Sequence, residues 1–322
     1  MKTRLLQKAL LALAVLPFFA GGTALAQKEN IAWGGSSPGG VMYYMVGTAG
    51  TVISRELPAY NITQVSTGGS TENAKRIIKG ELDMGIVYGA HVYMGLKQEG
   101  PFKDGPKATM FRGVAKAYQG PTYFITRPGS GIKTISDLAG KTVALGPPGS
   151  GTVFNCTNML TVLKMIDKIK PRMMTFADAG RALGNNQIDA FCQSSAPAAA
   201  VKELAETKGV YILPYSDSEM DAISAMYPFY TKGMLKEGTY KGVPPTQMPF
   251  LTVYWVAHER VSEKAVQDIL ELVYQPKIHQ ELTSGHKAWG QMAPDTANFI
   301  KLGAPMHPGA VKYYKSKGLW KE

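Results

Sequence analysis

Four short stretches constrain this chain more than anything else in it. They are GGSSPGG (34–40), STGGST (66–71), GPPGSGT (146–152) and QSSAP (193–197). Each follows an apolar run that reads as a strand and precedes a segment that reads as a helix. A chain that alternates strand, tight polar loop and helix folds into α/β layers, with the loops at the carboxyl ends of the strands. ENIAWGG, NITQVST and DMGIVY are the strands of a first pass, with helices over YMVGTAGTVISREL and STENAKRIIKGEL, the latter capped near Ser70 or Thr71. The pattern then restarts with KTVALG, RMMTFA and IDAFCQ as strands. The two passes share a helix end, an acidic residue, an apolar strand and a polar loop, with Asp83 and Asp189 in matching places.

Two long extended stretches, FRGVAKAYQGPTYFITRPGSG and KEGTYKGVPPTQMPFLTVYWVAHE, connect the passes, and the rest of the chain is helical. This predicts two doubly wound α/β lobes joined by two hinge crossings. The expected division is a first lobe over 27–120 and 246–322, which includes the return strand and the C-terminal helices. The second lobe spans 121–245.

Residues 1–26 read as a cleaved secretory signal peptide. Lys2, Arg4 and Lys8 precede the apolar run LLALAVLPFFA, and Ala24-Leu25-Ala26 is the cleavage box. The apolar run is too short to span a bilayer comfortably. Cleavage leaves 296 of the 322 residues, and loss of those three basic residues lowers the formal charge from +11 to +8. That length suits two domains. No run of five like charges exists, so nucleic acid is not an expected partner.

Export permits a disulfide between Cys156 and Cys192. The sequence leaves two arrangements open, one bridge or two separate buried thiols. Five scattered histidines and two cysteines give no metal-ligand spacing, so no metal and no cofactor is expected.

The loops carry the candidate chemistry. Helix N-termini expose unpaired N–H groups and partial positive charge, so they hold anions without a formal cation. Glycine permits close approach of a ligand, and Ser or Thr adds hydroxyl donors. GPPGSGT resembles a phosphate loop, but Thr152 stands where the lysine should be, which argues against a nucleoside triphosphate. The candidate ligand-binding residues are Gly35, Ser36, Gly40, Tyr43, Thr67, Gly68, Gly69, Ser70, Asn73, Tyr88, Gly149, Ser150, Gly151, Thr152, Gln193, Ser194 and Ser195. Tyr44, Tyr118 and Tyr123 lie near the same loops. Gly35-Ser36-Ser37-Pro38-Gly39 formally fits G-x-S-x-G, with Ser37 as a nucleophile. That elbow normally follows several earlier strands, and none precedes it here, so an enzyme is not expected.

TGGSTENAKRIIKGELDMGIV, GKTVALGPPGSGT, IDAFCQSSAPAAAVKEL and PMHPGAVKYYKSKGL together resemble a solute receptor of the TAXI branch of the TRAP transporters, over nearly the whole mature chain. The resemblance implies a two-lobe periplasmic-binding-protein fold of class II type that closes on a small carboxylate, glutamate-like or 2-oxoglutarate-like. It implies a monomeric periplasmic receptor that delivers its ligand to integral membrane permease subunits driven by an ion gradient. One departure stands out: the family's Gly-Gly-Thr-Tyr-Tyr is here Gly39-Gly40-Val41-Met42-Tyr43-Tyr44, so the threonine hydroxyl is lost or displaced. An ABC-type receptor for an aromatic or sulfonate-type acid would use the same fold, and a periplasmic hydrolase using Ser37 is the alternative from another class.

Overall fold

The computed structural model describes residues 28–321, and the signal peptide expected at 1–26 lies outside them. The first lobe opens with β1 (Glu29–Gly34), α1 (Val41–Glu56), β2 (Tyr60–Val65), α2 (Ser70–Ile78), β3 (Met84–Tyr88) and α3 (Gly89–Lys97). β4 (Phe111–Pro121) then runs through Thr122 directly into β5 (Tyr123–Thr126). The second lobe follows as β6 (Thr142–Ala144), α4 (Gly151–Val162), β7 (Lys170–Arg172), α5 (Phe176–Gly184), β8 (Ala190–Gln193), α6 (Ala199–Thr207), β9 (Tyr211–Ile212) and α7 (Asp217–Met226). β10 (Thr231–Leu235) and β11 (Thr246–His258) return the chain. It closes with α8 (Glu263–Val273), α9 (Pro276–Gly285), α10 (Thr296–Lys301) and α11 (Pro308–Ser316).

Two sheets result, giving the two-lobe periplasmic-binding-protein architecture. The first has the order β10-β11-β3-β1-β2, with β4 also paired to β11; the second has the order β7-β6-β8-β5-β9. Both sheets are mixed. β1, β2 and β3 are parallel, as are β6, β7 and β8, but β11 and β5 join them antiparallel. The antiparallel members are the strands that enter from the hinge. β10 lies inside the span expected for the second lobe, yet it pairs with β11 in the first sheet.

The buried strand β3, MGIVY, has every residue inaccessible, as a strand covered on both faces requires. Trp33 on β1 stacks on Trp255 of β11 at 4.5 Å between ring centroids, and Trp289 meets Trp33 edge-on at 6.4 Å. Such pairs each add roughly 0.5–1.5 kcal/mol beyond the area they bury. Trp289 also donates its indole N–H to the Met45 carbonyl at 3.1 Å, which fastens the C-terminal region onto α1.

The matching acidic residues have matching tasks. Asp83 accepts the Ala32 N–H of β1, and Asp189 accepts the Thr142 N–H of β6, each at 2.8 Å. Each aspartate thus ties the entry of its own strand to the neighbouring parallel strand.

One local expectation needs correction. RMMTFA is not one strand: β7 ends at Arg172 and α5 begins at Phe176. Thr175 accepts the Asp178 N–H through its side chain, and this cap starts the helix before the apolar run is finished. The cap of α2 is Gly69, directly before Ser70, which opens the helix. Its φ of 125° suits glycine, which carries no Cβ to clash there.

Candidate functional site

The four loops meet between the lobes. Ser36, Gly68, Gly69, Ser70 and Tyr88 from the first lobe face Ser150, Gly151, Thr152, Gln193 and Ser195 from the second. Together they line a cavity of about 10 Å3, closed further by Val41, Met42 and Phe176. A cavity of that size holds about one water, so the lobes are shut tightly against each other.

Contacts across the seam are short. The Tyr88 hydroxyl donates to the Ser194 carbonyl at 3.0 Å, and Glu72 N–H donates to the Gly149 carbonyl at 3.0 Å. Gly39 and Gly68 sit where a side chain would collide with the opposite lobe. A Cβ on Gly39 would lie 2.8 Å from Ala177 N, and one on Gly68 would lie 2.3 Å from the Pro148 carbonyl oxygen. A Cβ on Gly151 would meet the Tyr88 ring at 2.3 Å. These glycines in the loop motifs allow the two lobes to touch.

Four helices begin at the cavity. Val41 and Met42 open α1, Ser70 opens α2, Gly151 and Thr152 open α4, and Phe176 opens α5. First-turn N–H groups have no intrahelical acceptor, and each helix start carries partial positive charge. Hydroxyls of Ser150 and Thr152 add neutral donors, whereas Ser36 and Ser195 donate to the main-chain carbonyls of Ser37 and Ser194, at 3.4 and 2.7 Å. Ser150 caps α4 by accepting the Val153 N–H at 3.0 Å, which leaves its own O–H available to donate. Burial pushes the Tyr88 phenol up to about 12, so it remains a protonated donor.

Seven of the seventeen sequence candidates do not line the cavity: Gly35, Gly40, Tyr43, Thr67, Asn73, Gly149 and Ser194. Their bonds explain why. Asn73 is fully buried and its Nδ2 donates to the carbonyls of Gly34, Gly35 and Ile86. Its Oδ1 accepts the Thr67 hydroxyl at 2.7 Å. The pair therefore fastens the first two loops together. Gly40 caps α1 and Gly149 takes a positive φ of 71°, so both shape their loops. Ser194 receives Tyr88 on its carbonyl and meets the Thr122 hydroxyl at 3.2 Å. Tyr118 and Tyr123 hold Ser195 from behind, at 2.7 Å to its Oγ and 3.0 Å to its carbonyl. Tyr43 packs on Tyr44, outside the cavity.

Ser70 lines the cavity, but its side chain is engaged inward. Its Oγ accepts the Tyr88 N–H at 2.8 Å and lies 2.6 Å from His91 Nδ1. His91 is fully buried, with Phe154 of the other lobe edge-on at 5.0 Å. Burial drives its pKa down to about 3, with Lys75 adding to the effect, so the ring is neutral. No spacing of residues along the chain links His91 to this site. Val41, Met42 and Phe176 were also not among the candidates, because apolar residues in a first turn look like ordinary core.

Residues 34–318 match the model of the NMT1-like family. The chain belongs to the NMT1-like family. Among solved structures, this NMT1-like chain is similar to a protein from Bordetella bronchiseptica RB50. That pair is 13% identical over 90% of this chain and 98% of the other, with a TM-score of 0.52. It is also similar to the alkanesulfonate-binding protein SsuA from Xanthomonas axonopodis pv. citri bound to MOPS. There the identity is 13% over 92% of this chain and 96% of the other, with a TM-score of 0.49. At such identities the likeness concerns the fold. The TAXI resemblance is narrower than the family found.

Ser37 of the NMT1-like chain is buried, and its Oγ has no hydrogen-bond partner among the described residues. A serine nucleophile needs an adjacent base. The Ser37 side chain has no such neighbour within hydrogen-bond reach and does not line the cavity.

Cys156 and Cys192 form a disulfide that joins α4 to β8, the elements that carry the two second-lobe loops. Of the two arrangements left open by the sequence, the bridge is the one present.

Proposed function

We propose that this protein is a periplasmic solute-binding receptor, not an enzyme. It captures a small organic acid between its lobes and delivers it to integral membrane permease subunits. The observation that carries this reading is the meeting of four helix N-termini from both lobes at one cavity. Such a site holds an anion without a formal cation. The lobes, taken as 27–120 with 246–322 and as 121–245, part to admit the ligand and close over it. The receptor works as a monomer, and the N-terminal signal directs it to the periplasm.

The ligand class is a carboxylate, glutamate-like or 2-oxoglutarate-like, and the membrane partner is an ion-gradient-driven TRAP permease, as the sequence resemblance implies. A second reading is an ABC-type receptor for a sulfonate-type acid. The match to the NMT1-like family, rather than to a TRAP-specific one, favours keeping it.

A thermal-shift screen with small carboxylates and sulfonates tests the receptor reading, because a ligand of the folded form raises its melting temperature. A shift with one of these acids, lost in Thr152→Ala, supports it. No shift with any of them overturns it. Uptake into membrane vesicles, energised by an ion gradient in one arm and by ATP in the other, separates the two transporter classes.

A further inference from the structure

None of the thirteen residues that line the cavity carries a formal charge. Glu72 lies one turn into α2, but its carboxylate is taken: one oxygen accepts the Gly68 N–H at 2.7 Å and the other faces Arg76 at 3.4 Å. The helix starts around the cavity all present their positive ends to it. One side chain adds an independent observation. Gln193 is 1% exposed and lines the cavity, and its Nε2 has no hydrogen-bond partner among the described residues. Its orientation is fixed, because Oε1 accepts the Ser194 N–H at 3.1 Å, which turns the NH2 group the other way. A buried donor with nothing to donate to is costly unless an acceptor arrives.

We infer that the cleft selects organic acids that lack an ammonium group, and that Gln193 sets this selection. The inference rests on the receptor reading above and narrows its ligand class: of the two acids the resemblance implies, the oxo acid fits and the amino acid does not. An acid oxygen completes Gln193 Nε2 and the first-turn N–H groups. An α-ammonium brings three donors into a site already rich in donors, with no carboxylate to pair with it. The aromatic walls do not compensate. Tyr88 packs against Gly151 and Phe176 against Gly40, each at the positive end of a helix.

The test uses matched pairs that differ by the amino group: glutarate with glutamate, and ethanesulfonate with taurine, and it adds 2-oxoglutarate. Binding to the mature protein is measured by calorimetry. The amino-free member of a pair should bind at least about tenfold more tightly, roughly 1.4 kcal/mol. Gln193→Glu keeps the shape, removes the donor and adds an acceptor. It should weaken the amino-free acid by tenfold or more and narrow or reverse the preference, with an unchanged fold confirmed by circular dichroism. The comparison on the native protein needs no variant, so it stands even if Gln193→Glu does not fold. Amino acids that bind as tightly as their partners, or a preference unaltered in folded Gln193→Glu, overturn the inference and leave the receptor reading standing. Failure of every acid overturns the receptor reading, and this inference with it.

Discussion

The Tyr88 hydroxyl, at the end of β3 in the first lobe, donates to the main-chain carbonyl of Ser194, at the end of β8 in the second, across 3.0 Å. This one bond joins the tips of the two central strands over the cavity. Tyr88→Phe keeps the ring against Gly151 and removes the donor. It leaves a buried carbonyl with one partner fewer, at a cost of about 1–3 kcal/mol. Urea denaturation should show this loss, and solution scattering should show a larger radius for the ligand-free variant than for the native protein. Equal radii and equal stability would mean that the bond does not hold the lobes shut.

The phosphate-like loop gives the sharpest mutational contrast. Ser150→Ala removes both the cap of α4 and a cavity hydroxyl, so it should lower stability by about 1 kcal/mol and weaken acid binding. Thr152→Ala should weaken binding with less effect on stability, by about tenfold if its hydroxyl donates to a charged group. Thr152→Lys restores the nucleotide signature yet should bind no ATP, and its longer side chain should block the acid. ATP binding by the native protein, or unchanged acid affinity in both alanine variants, would refute the role given to this loop.

His91 makes acid sensitivity predictable. Its folded pKa of about 3 lies below the ordinary value of 6.5. Below about pH 6.5 the unfolded chain binds a proton that the folded chain refuses. Its stabilising effect is therefore complete above pH 6.5 and is lost as the pH falls towards 3. His286 and His307 are lowered by burial as well and act in the same direction. Between pH 6.5 and 3 the His91 contribution should fall by about 1.4 kcal/mol per pH unit. His91→Gln should flatten the slope between pH 6.5 and 4.5; an identical slope would mean that His91 is protonated in the fold.

The Cys156–Cys192 bridge closes a loop with a sequence separation of 36 residues. Loop entropy predicts about 4 kcal/mol of stabilisation, and measured bridges typically give 2–4. Double substitution by serine should lower the denaturation free energy by that amount and weaken ligand binding, because the bridge fixes α4 and β8 together. Two titratable thiols in the unfolded, unreduced native protein would show that the bridge does not form.

The sequence made the loops legible because their chemistry is local. Glycine, serine and threonine at a strand-to-helix junction announce a helix start whatever surrounds them. It did not separate residues that face the cavity from those that build its walls. Asn73, Thr67 and Ser194 have the same polar character as Ser36 and Gln193, and only the partners found in three dimensions decide which way each points. Val41 and Phe176 were missed for the opposite reason, since their apolar side chains carry no signal of a site. The mixed strand direction was equally hidden. β5 and β11 read as strands, but nothing local tells a strand entering from a hinge that it will run against its neighbours.

The two crossings between the lobes are tied to each other, since Thr122 N–H donates to the Pro249 carbonyl at 2.8 Å. Mechanically this acts as a single pin. If the lobes part, the shared bond would make rotation about this pin the movement that breaks fewest contacts between the crossings. The cavity lies beyond the pin, and the outer rim of each lobe lies farther still. Any rotation about the pin would therefore move the outer rims farther than the cavity walls.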